Sequence, residues 1–290
     1  MTVREARRIG ATRLSRTSPS APLDAEVLLA HTLAVTREAL VAHDDRPVPP
    51  RALARYRRLI ERRRNHEPVA YLIGTREFYG LRLAVDRRVL IPRPETEQLV
   101  LEAIKKIDIS DLTHCVDVGT GSGAIAVAVA THAPGVRVVA TDYSPGALTV
   151  AKRNAVIHRV ADRIVFRRGD LLAPLLTDFR IYEKWRDILL VANLPYLTTE
   201  EWRHAPPDVR DYEPRLALDG GPDGLRAYDR LLDQLAARAP RVPVTLISEI
   251  GPPLRRSFPA LVRRRFPHAR MEIKNDLAGK ARVAVVRIGP

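Results

Sequence analysis

From Leu23 to about Arg64 the apolar residues recur at helical spacing (Val27, Leu28, Leu33, then Leu53, Tyr56, Leu59, Ile60), with breaks at Pro47, Pro49 and Pro50. This pattern predicts a small bundle of helices. Ahead of it, Val3, Ala6, Arg7 and Gly10 are followed by Leu14 at helical spacing, and the periodicity resumes directly after Pro22. Residues 1–22 are rich in Arg, Ser and Thr and poor in acids, loosely the composition of an organelle transit peptide, but their periodicity makes a folded helix the better expectation. Between Arg76 and Leu90 the period changes to alternation, with Phe78, Leu81, Leu83 and Val85 around a turn at Gly80. That segment reads as a β-hairpin joining two domains.

A helix from Glu95 to Ile107 is expected next, and strand and helix patterns then alternate to the end. The strands fall at His114–Val118, Arg137–Thr141, Arg163–Arg167, Asp187–Ala192, Pro243–Glu249, Arg270–Lys274 and Ala281–Ile288. Seven strands alternating with helices predict a mostly parallel sheet covered on both faces. The last two are joined by Asn275 to Lys280, too short for a crossover helix, so the final strand is expected to run antiparallel at or near the edge. The expected organisation is a helical domain over 1–75, a hairpin linker over 76–90 and an α/β domain over 91–290.

Hydrophobic residues make up 46% of the 290, enough for a sizeable core. With Cys115 alone no intrachain disulfide can form, and no paired Cys or His spacing marks a metal site, so a reducing, cytoplasmic setting and no metal are the expectations. The longest apolar stretches, Ala124 to Ala130 and Ile188 to Ala192, are too short to span a bilayer. Net charge is +14, of which residues 1–75 contribute +6 and the remainder +8, so the excess is spread. The run Arg55, Arg57, Arg58, Arg62, Arg63, Arg64 reads first as the solvated face of a helix and second as a transient contact for ribosome or RNA. A monomer is expected.

The strand ending Cys115-Val116-Asp117-Val118 runs into Gly119-Thr120-Gly121-Ser122-Gly123, and a helix begins at once. Glycines let the backbone turn sharply and admit a ligand to the helix N-terminus. Such a turn serves dinucleotides as well as S-adenosylmethionine. Asp142 ends the next strand, where a carboxylate can accept two ribose hydroxyls, and Asp170 ends the third in Gly169-Asp170-Leu171, where the carboxylate or adjacent backbone can read an adenine amino group. The plain alternative is that both acids cap helices, since Asp142 precedes Ser144 and Pro145. No Walker lysine follows the glycines, which disfavours a nucleoside triphosphate.

After the fourth strand comes Asn193-Leu194-Pro195-Tyr196. An Asn at the carboxyl end of a strand lies where ligands bind in open α/β sheets. Its chemistry suits a planar nitrogen, whose delocalised lone pair makes it a poor nucleophile. The Asn193 side-chain carbonyl and the Leu194 backbone carbonyl can accept both N–H groups, fix the nitrogen and favour the positive charge that develops as it attacks a sulfonium methyl. Tyr196 is expected to pack on the planar group, and no metal or strong base is needed. The plain alternative makes Asn193 an ordinary turn residue and Tyr196 a core aromatic.

These residues resemble the release factor glutamine methyltransferases over nearly the whole chain. Besides the glycine turn, the matching segments are Asp24-Ala25-Glu26, Glu67 to Gly74, Ile91-Pro92-Arg93-Pro94-Glu95-Thr96-Glu97, Tyr212 to Leu218 with Gly220 to Leu225, and Glu249-Ile250-Gly251. The resemblance implies a Rossmann-like S-adenosylmethionine-dependent domain behind a helical domain that helps hold the substrate, and methylation of the glutamine in the Gly-Gly-Gln loop of class I peptide chain release factors. It places the cofactor on Gly119, Thr120, Gly121, Ser122, Gly123, Asp142, Asp170, Leu171 and Asn193, the glutamine on Asn193, Leu194, Pro195 and Tyr196, and lets Arg93 and Glu95 shape the pocket. Two departures stand out: Leu194 where the family usually has Pro, and Gly251-Pro252-Pro253-Leu254 where it often has a Gln. The runner-up is an adenine methyltransferase acting on rRNA or DNA, with a flipped base on Tyr196; a third reading is a non-catalytic binding protein on the same fold.

Overall fold

The computed structural model describes residues 1–110, 112–176, 187–237 and 242–289. By its internal contacts the chain forms two units, Met1–Thr75 with Pro206–Tyr212, and Arg76–Ala205 with Glu213–Pro290. The hairpin thus groups with the sheet, and a segment from the middle of the α/β sequence groups with the bundle.

In the first unit the helices are Val3–Leu14, Ala21–Leu33, Arg37–Ala42, Pro50–Arg64 and Val69–Ile73. The first is a true helix opened by a capping box, with Thr2 and Glu5 satisfying each other's backbone amides. Leu14, Leu28, Leu29, Tyr56 and Ile60 fill the core. Of the arginine run, Arg55, Arg57, Arg58, Arg62 and Arg64 are exposed as expected, and Arg63 is the exception. Arg63 is buried, its Nε donating to Asp24 Oδ2 at 2.7 Å, while Ser18 and Ser20 donate to the same carboxylate. Arg62 pairs with Glu67 and Arg64 with Glu61. Arg63 also reaches Asp208 at 3.5 Å, and the Tyr212 hydroxyl donates to the Asn65 carbonyl, which ties Pro206–Tyr212 into this unit.

In the second unit β1 (Thr75–Phe78) and β2 (Leu81–Ala84) form the hairpin, which stops short of Leu90 because Asp86 turns the chain by accepting from the Arg88 amide. A 3₁₀ turn at Pro94–Thr96 precedes the helix Glu97–Ser110. The sheet contains β3 (His114–Val118), β4 (Arg137–Asp142), β5 (Ile164–Arg168), β6 (Ile188–Ala192), β7 (Val244–Glu249), β8 (Arg270–Asn275) and β9 (Ala281–Ile288), in the order β5-β4-β3-β6-β7-β9-β8. β9 is antiparallel to both neighbours and sits one place in from the edge, which β8 occupies.

Successive residues of the central strands feed opposite cores. Cys115, Leu189 and Val191 face the cluster under the helix Ala124–His132, and Val116, Leu190 and Ala192 face the one holding Tyr228 and Phe258. The helix Arg226–Ala236 buries Tyr228, Leu231, Leu232 and Leu235, one stripe at helical spacing. Strand order reverses between β3 and β6, and at that switch point the carboxyl ends of the strands leave a crevice. Among the described residues no helix is long and apolar enough to cross a membrane.

Candidate active site

The crevice is a cavity of about 590 Å³ within the second unit, a size suited to a nucleoside-bearing molecule. One side of its wall is the glycine turn. Gly119, Gly121 and Gly123 have φ of +75°, +55° and +79°, a region that side chains other than glycine's disfavour. A Cβ on Gly121 meets nothing within 4 Å, so a side chain there would stand in the cavity. Asp142 braces the turn: its Oδ2 accepts from the Gly121 amide and its Oδ1 from the Ser144 amide, both at 2.8 Å. It is therefore not the helix cap, a place taken by Ser144, whose hydroxyl accepts from the Ala147 amide. Burial raises the Asp142 pKa, against the two amides. Asp170 accepts from Arg230 at 2.6 Å and from Gln234 at 2.9 Å, both on Oδ2, and Leu171 beside it holds a φ of +51°.

Glycine room, two carboxylates that could accept hydroxyl or amino hydrogens, and apolar walls at Leu90, Ile125 and Leu194 suit a cationic nucleoside such as S-adenosylmethionine.

Beside the turn, Asn193-Leu194-Pro195 at the end of the neighbouring strand β6 lines the same cavity with Thr96 and Arg93. The Asn193 Nδ2 donates to Thr96 Oγ1 at 3.0 Å, and Thr96 Oγ1 donates to Glu249 Oε2 at 2.6 Å. Tyr196 donates its hydroxyl to Glu249 Oε1 at 3.1 Å. Its ring lies against Gly251, where a Cβ would come within 2.9 Å of Cδ2. Tyr196 is not among the residues that line the cavity, and burial beside Glu249 raises its pKa so that it remains a donor. The buried hydroxyl of Tyr228 points at two carbonyls, Glu249 O at 2.6 Å and Leu194 O at 3.3 Å.

Glycine also supports this side from behind. A Cβ on Gly220 would come within 2.5 Å of the Pro195 carbonyl, so only glycine lets the Gly220–Gly224 loop pack on the Asn193 loop. Leu197 and Gly220 seal the contact through Gly220 N to Leu197 O at 2.8 Å. Asp219 holds this loop by accepting from Gly221, Thr199 and Arg215, which together outweigh burial and bring its pKa down to about 2.

The sequence-predicted residues Gly119 to Ser122, Asp142, Asp170, Leu171, Asn193, Leu194, Pro195 and Arg93 meet at one cavity. Gly123 lies behind the turn against Ala151, and Glu95 is exposed and off the wall, where Thr96 stands instead. Arg93 pairs with the buried Glu213, which also accepts from the Ile91 amide.

Sequence reasoning passed over Asp117, Thr96 and Glu249. Asp117 is fully buried, accepts from Thr120 Oγ1 at 2.6 Å and the Ala126 amide at 3.1 Å through Oδ2, and leaves Oδ1 without a partner among the described residues. Burial pushes it up to about 7, against those two donors and with help from Asp142. The signal was present: an acid within or at the end of a buried strand, Asp117 in Cys115-Val116-Asp117-Val118 and Glu249 at the end of Val244–Glu249.

Residues 5–74 match the family described as the PrmC N-terminal domain, and residues 93–194 match ribosomal protein L11 methyltransferase (PrmA). A release factor glutamine methyltransferase of Moorella thermoacetica is 40% identical over 97% of this chain and 97% of its own length. Another, of Rhodopirellula baltica, is 38% identical over 92% of this chain and 89% of its own. Among solved structures, the catalytic domain of human METTL16 in complex with a 3'UTR hairpin has a TM-score of 0.55 at 17% identity, covering 77% of this chain and 82% of that one, a likeness of fold.

Proposed function

The chain belongs to the release factor glutamine methyltransferase family, and we propose that it transfers a methyl group from S-adenosylmethionine to the side-chain amide nitrogen of the glutamine in the Gly-Gly-Gln loop of peptide chain release factors. The observation that carries this reading is that Asn193 and Leu194 share one cavity with the glycine turn and Asp142.

When bound, S-adenosylmethionine supplies an electrophilic methyl on a sulfonium. Asp142 would accept its ribose hydroxyls, Asp170 and the Leu171 backbone would meet its base, and the open face of Gly121 would give it room. Beside the glycine turn, Asn193 Oδ1 and Leu194 O accept the two N–H groups of the glutamine amide. Two acceptors hold the nitrogen in line and stabilise the positive charge that grows on it, so no side chain has to remove a proton before transfer. The Leu194 position works through its backbone carbonyl, which accounts for its tolerance of a side chain other than Pro. Tyr196 braces the loop through its hydrogen bond to Glu249.

The test is incubation with labelled S-adenosylmethionine and either a release factor or rRNA, with mass spectrometry to locate the label. Label on the glutamine amide is expected; label on an RNA adenine and none on protein sinks the reading.

A further inference from the structure

We propose that Thr96 and Glu249 are positioning residues: a hydrogen-bond relay from the Glu249 carboxylate through the Thr96 hydroxyl decides which end of the Asn193 amide faces the cavity. The inference rests on the function proposed above and assigns a role to two family segments it left unexplained, the Thr of Pro94-Glu95-Thr96 and the Glu of Glu249-Ile250-Gly251.

An ionised carboxylate has only acceptors, and a hydroxyl has a single proton to give. Glu249, almost wholly buried, is approached by two hydroxyls, Thr96 on Oε2 at 2.6 Å and Tyr196 on Oε1 at 3.1 Å. Each gives its one proton to the carboxylate. The Thr96 oxygen then turns only lone pairs toward Asn193, so the amide must present Nδ2 to it, as it does at 3.0 Å. Oδ1, the acceptor that the glutamine N–H requires, is left for the cavity.

Reversal of the relay reverses the amide. A proton on Glu249 would be given to Thr96, whose own proton would then seek Asn193 Oδ1 and leave Nδ2 pointing at a substrate that also carries only donors there. Donor against donor is a repulsive contact in a desolvated site.

The charges around Glu249 bear on which state holds. From β9, Arg282 favours the ionised form; from the 3₁₀ turn, Glu95 opposes it; Tyr196 and Thr96 favour it through their hydroxyls, and burial opposes it most, raising its pKa. Arg93 faces Tyr196, and Tyr228 lies behind the strand end. The relay therefore carries an acid limit on methyl transfer that is separate from the cofactor side of the cavity.

The experiment uses the full chain and its release factor, with S-adenosylhomocysteine as the binding probe. Thr96→Val keeps the shape and deletes the hydroxyl, and Thr96→Ser keeps the hydroxyl. The expected result is a kcat about ten- to a hundredfold lower in T96V, in the range for loss of one preorganised polar contact, with S-adenosylhomocysteine affinity within about twofold and T96S close to wild type. Glu249→Gln, which can offer Thr96 a donor, is expected to lower kcat and to abolish the fall of kcat at acid pH expected of wild type.

Wild-type kcat in T96V overturns the relay. So does a T96S variant no better than T96V, or a loss of S-adenosylhomocysteine affinity in step with kcat, since either makes bulk rather than the hydroxyl the cause. An acid fall that persists unchanged in E249Q removes Glu249 from it. Failure of the proposed function is distinguishable, because the wild-type enzyme would then leave the glutamine unlabelled.

Discussion

The two sides of the cavity are made in opposite ways. At the carboxyl end of β3 the wall is shaped by atoms that are missing: three glycines at positive φ, with Gly121 leaving open space, and a carboxylate that props the backbone. At the carboxyl end of β6 the wall is shaped by atoms that must be present and correctly protonated: an amide, a hydroxyl and a carboxylate in sequence. Each side has a buried acid behind it, but Glu249 has a hydroxyl on each oxygen while Asp117 leaves one oxygen unpartnered among the described residues. The first side should therefore fail when something is added, the second when something is removed.

Asn193→Ala tests that contrast with the largest effect. It removes the acceptor and leaves the glycine turn untouched, so transfer should fall by about a hundred- to a thousandfold while S-adenosylhomocysteine binding, read by calorimetry, changes little. A comparable loss of binding would mean that the two sides are not separable. Gly121→Val is the converse. It adds a branched side chain at a φ of +55° in open cavity space, and affinity for S-adenosylhomocysteine should drop by at least about tenfold, with a strain cost of about 1–3 kcal/mol in thermal stability. Unchanged affinity would show that the cofactor lies elsewhere.

The smallest and most specific effect concerns Asp117. Burial favours its neutral form and puts its pKa at about 7 against an ordinary 3.8. The sign follows from linkage: the stability it contributes is complete below the ordinary carboxylate range and is lost as pH rises through about 7, by at most about 4 kcal/mol. The Tm of the ligand-free protein should fall between pH 5 and pH 8, and Asp117→Asn should flatten that fall. Parallel profiles for the two proteins would remove Asp117 as its source.

Much of the fold was legible because its signals are local. Runs such as Ile188 to Ala192 and the short Asn275–Lys280 connection report strand identity and direction within a few residues. They do not report neighbours, which is why the final strand's place between β7 and β8 needed the structure. The glycine turn and Asn193 were legible for the same reason, since each motif is contiguous. Thr96 and Glu249 were not read as partners because 153 residues separate them, and neither residue type in its own segment announces a mate. Arg63 misled for the opposite reason: a run of like charges looks solvated until a buried acid, Asp24, is brought beneath one of them.

The bundle borrows Pro206–Tyr212 from a point in the chain ten residues beyond Tyr196. Dissection at residue 75 is therefore not a clean cut. A catalytic fragment starting at Arg76 would retain Asp208 and Tyr212 but lose Arg63 and Asn65, to which they are joined. Its loose stretch would begin just after the residues proposed to grip the glutamine, so a fall in its turnover would not by itself measure what the helical domain adds to substrate recognition.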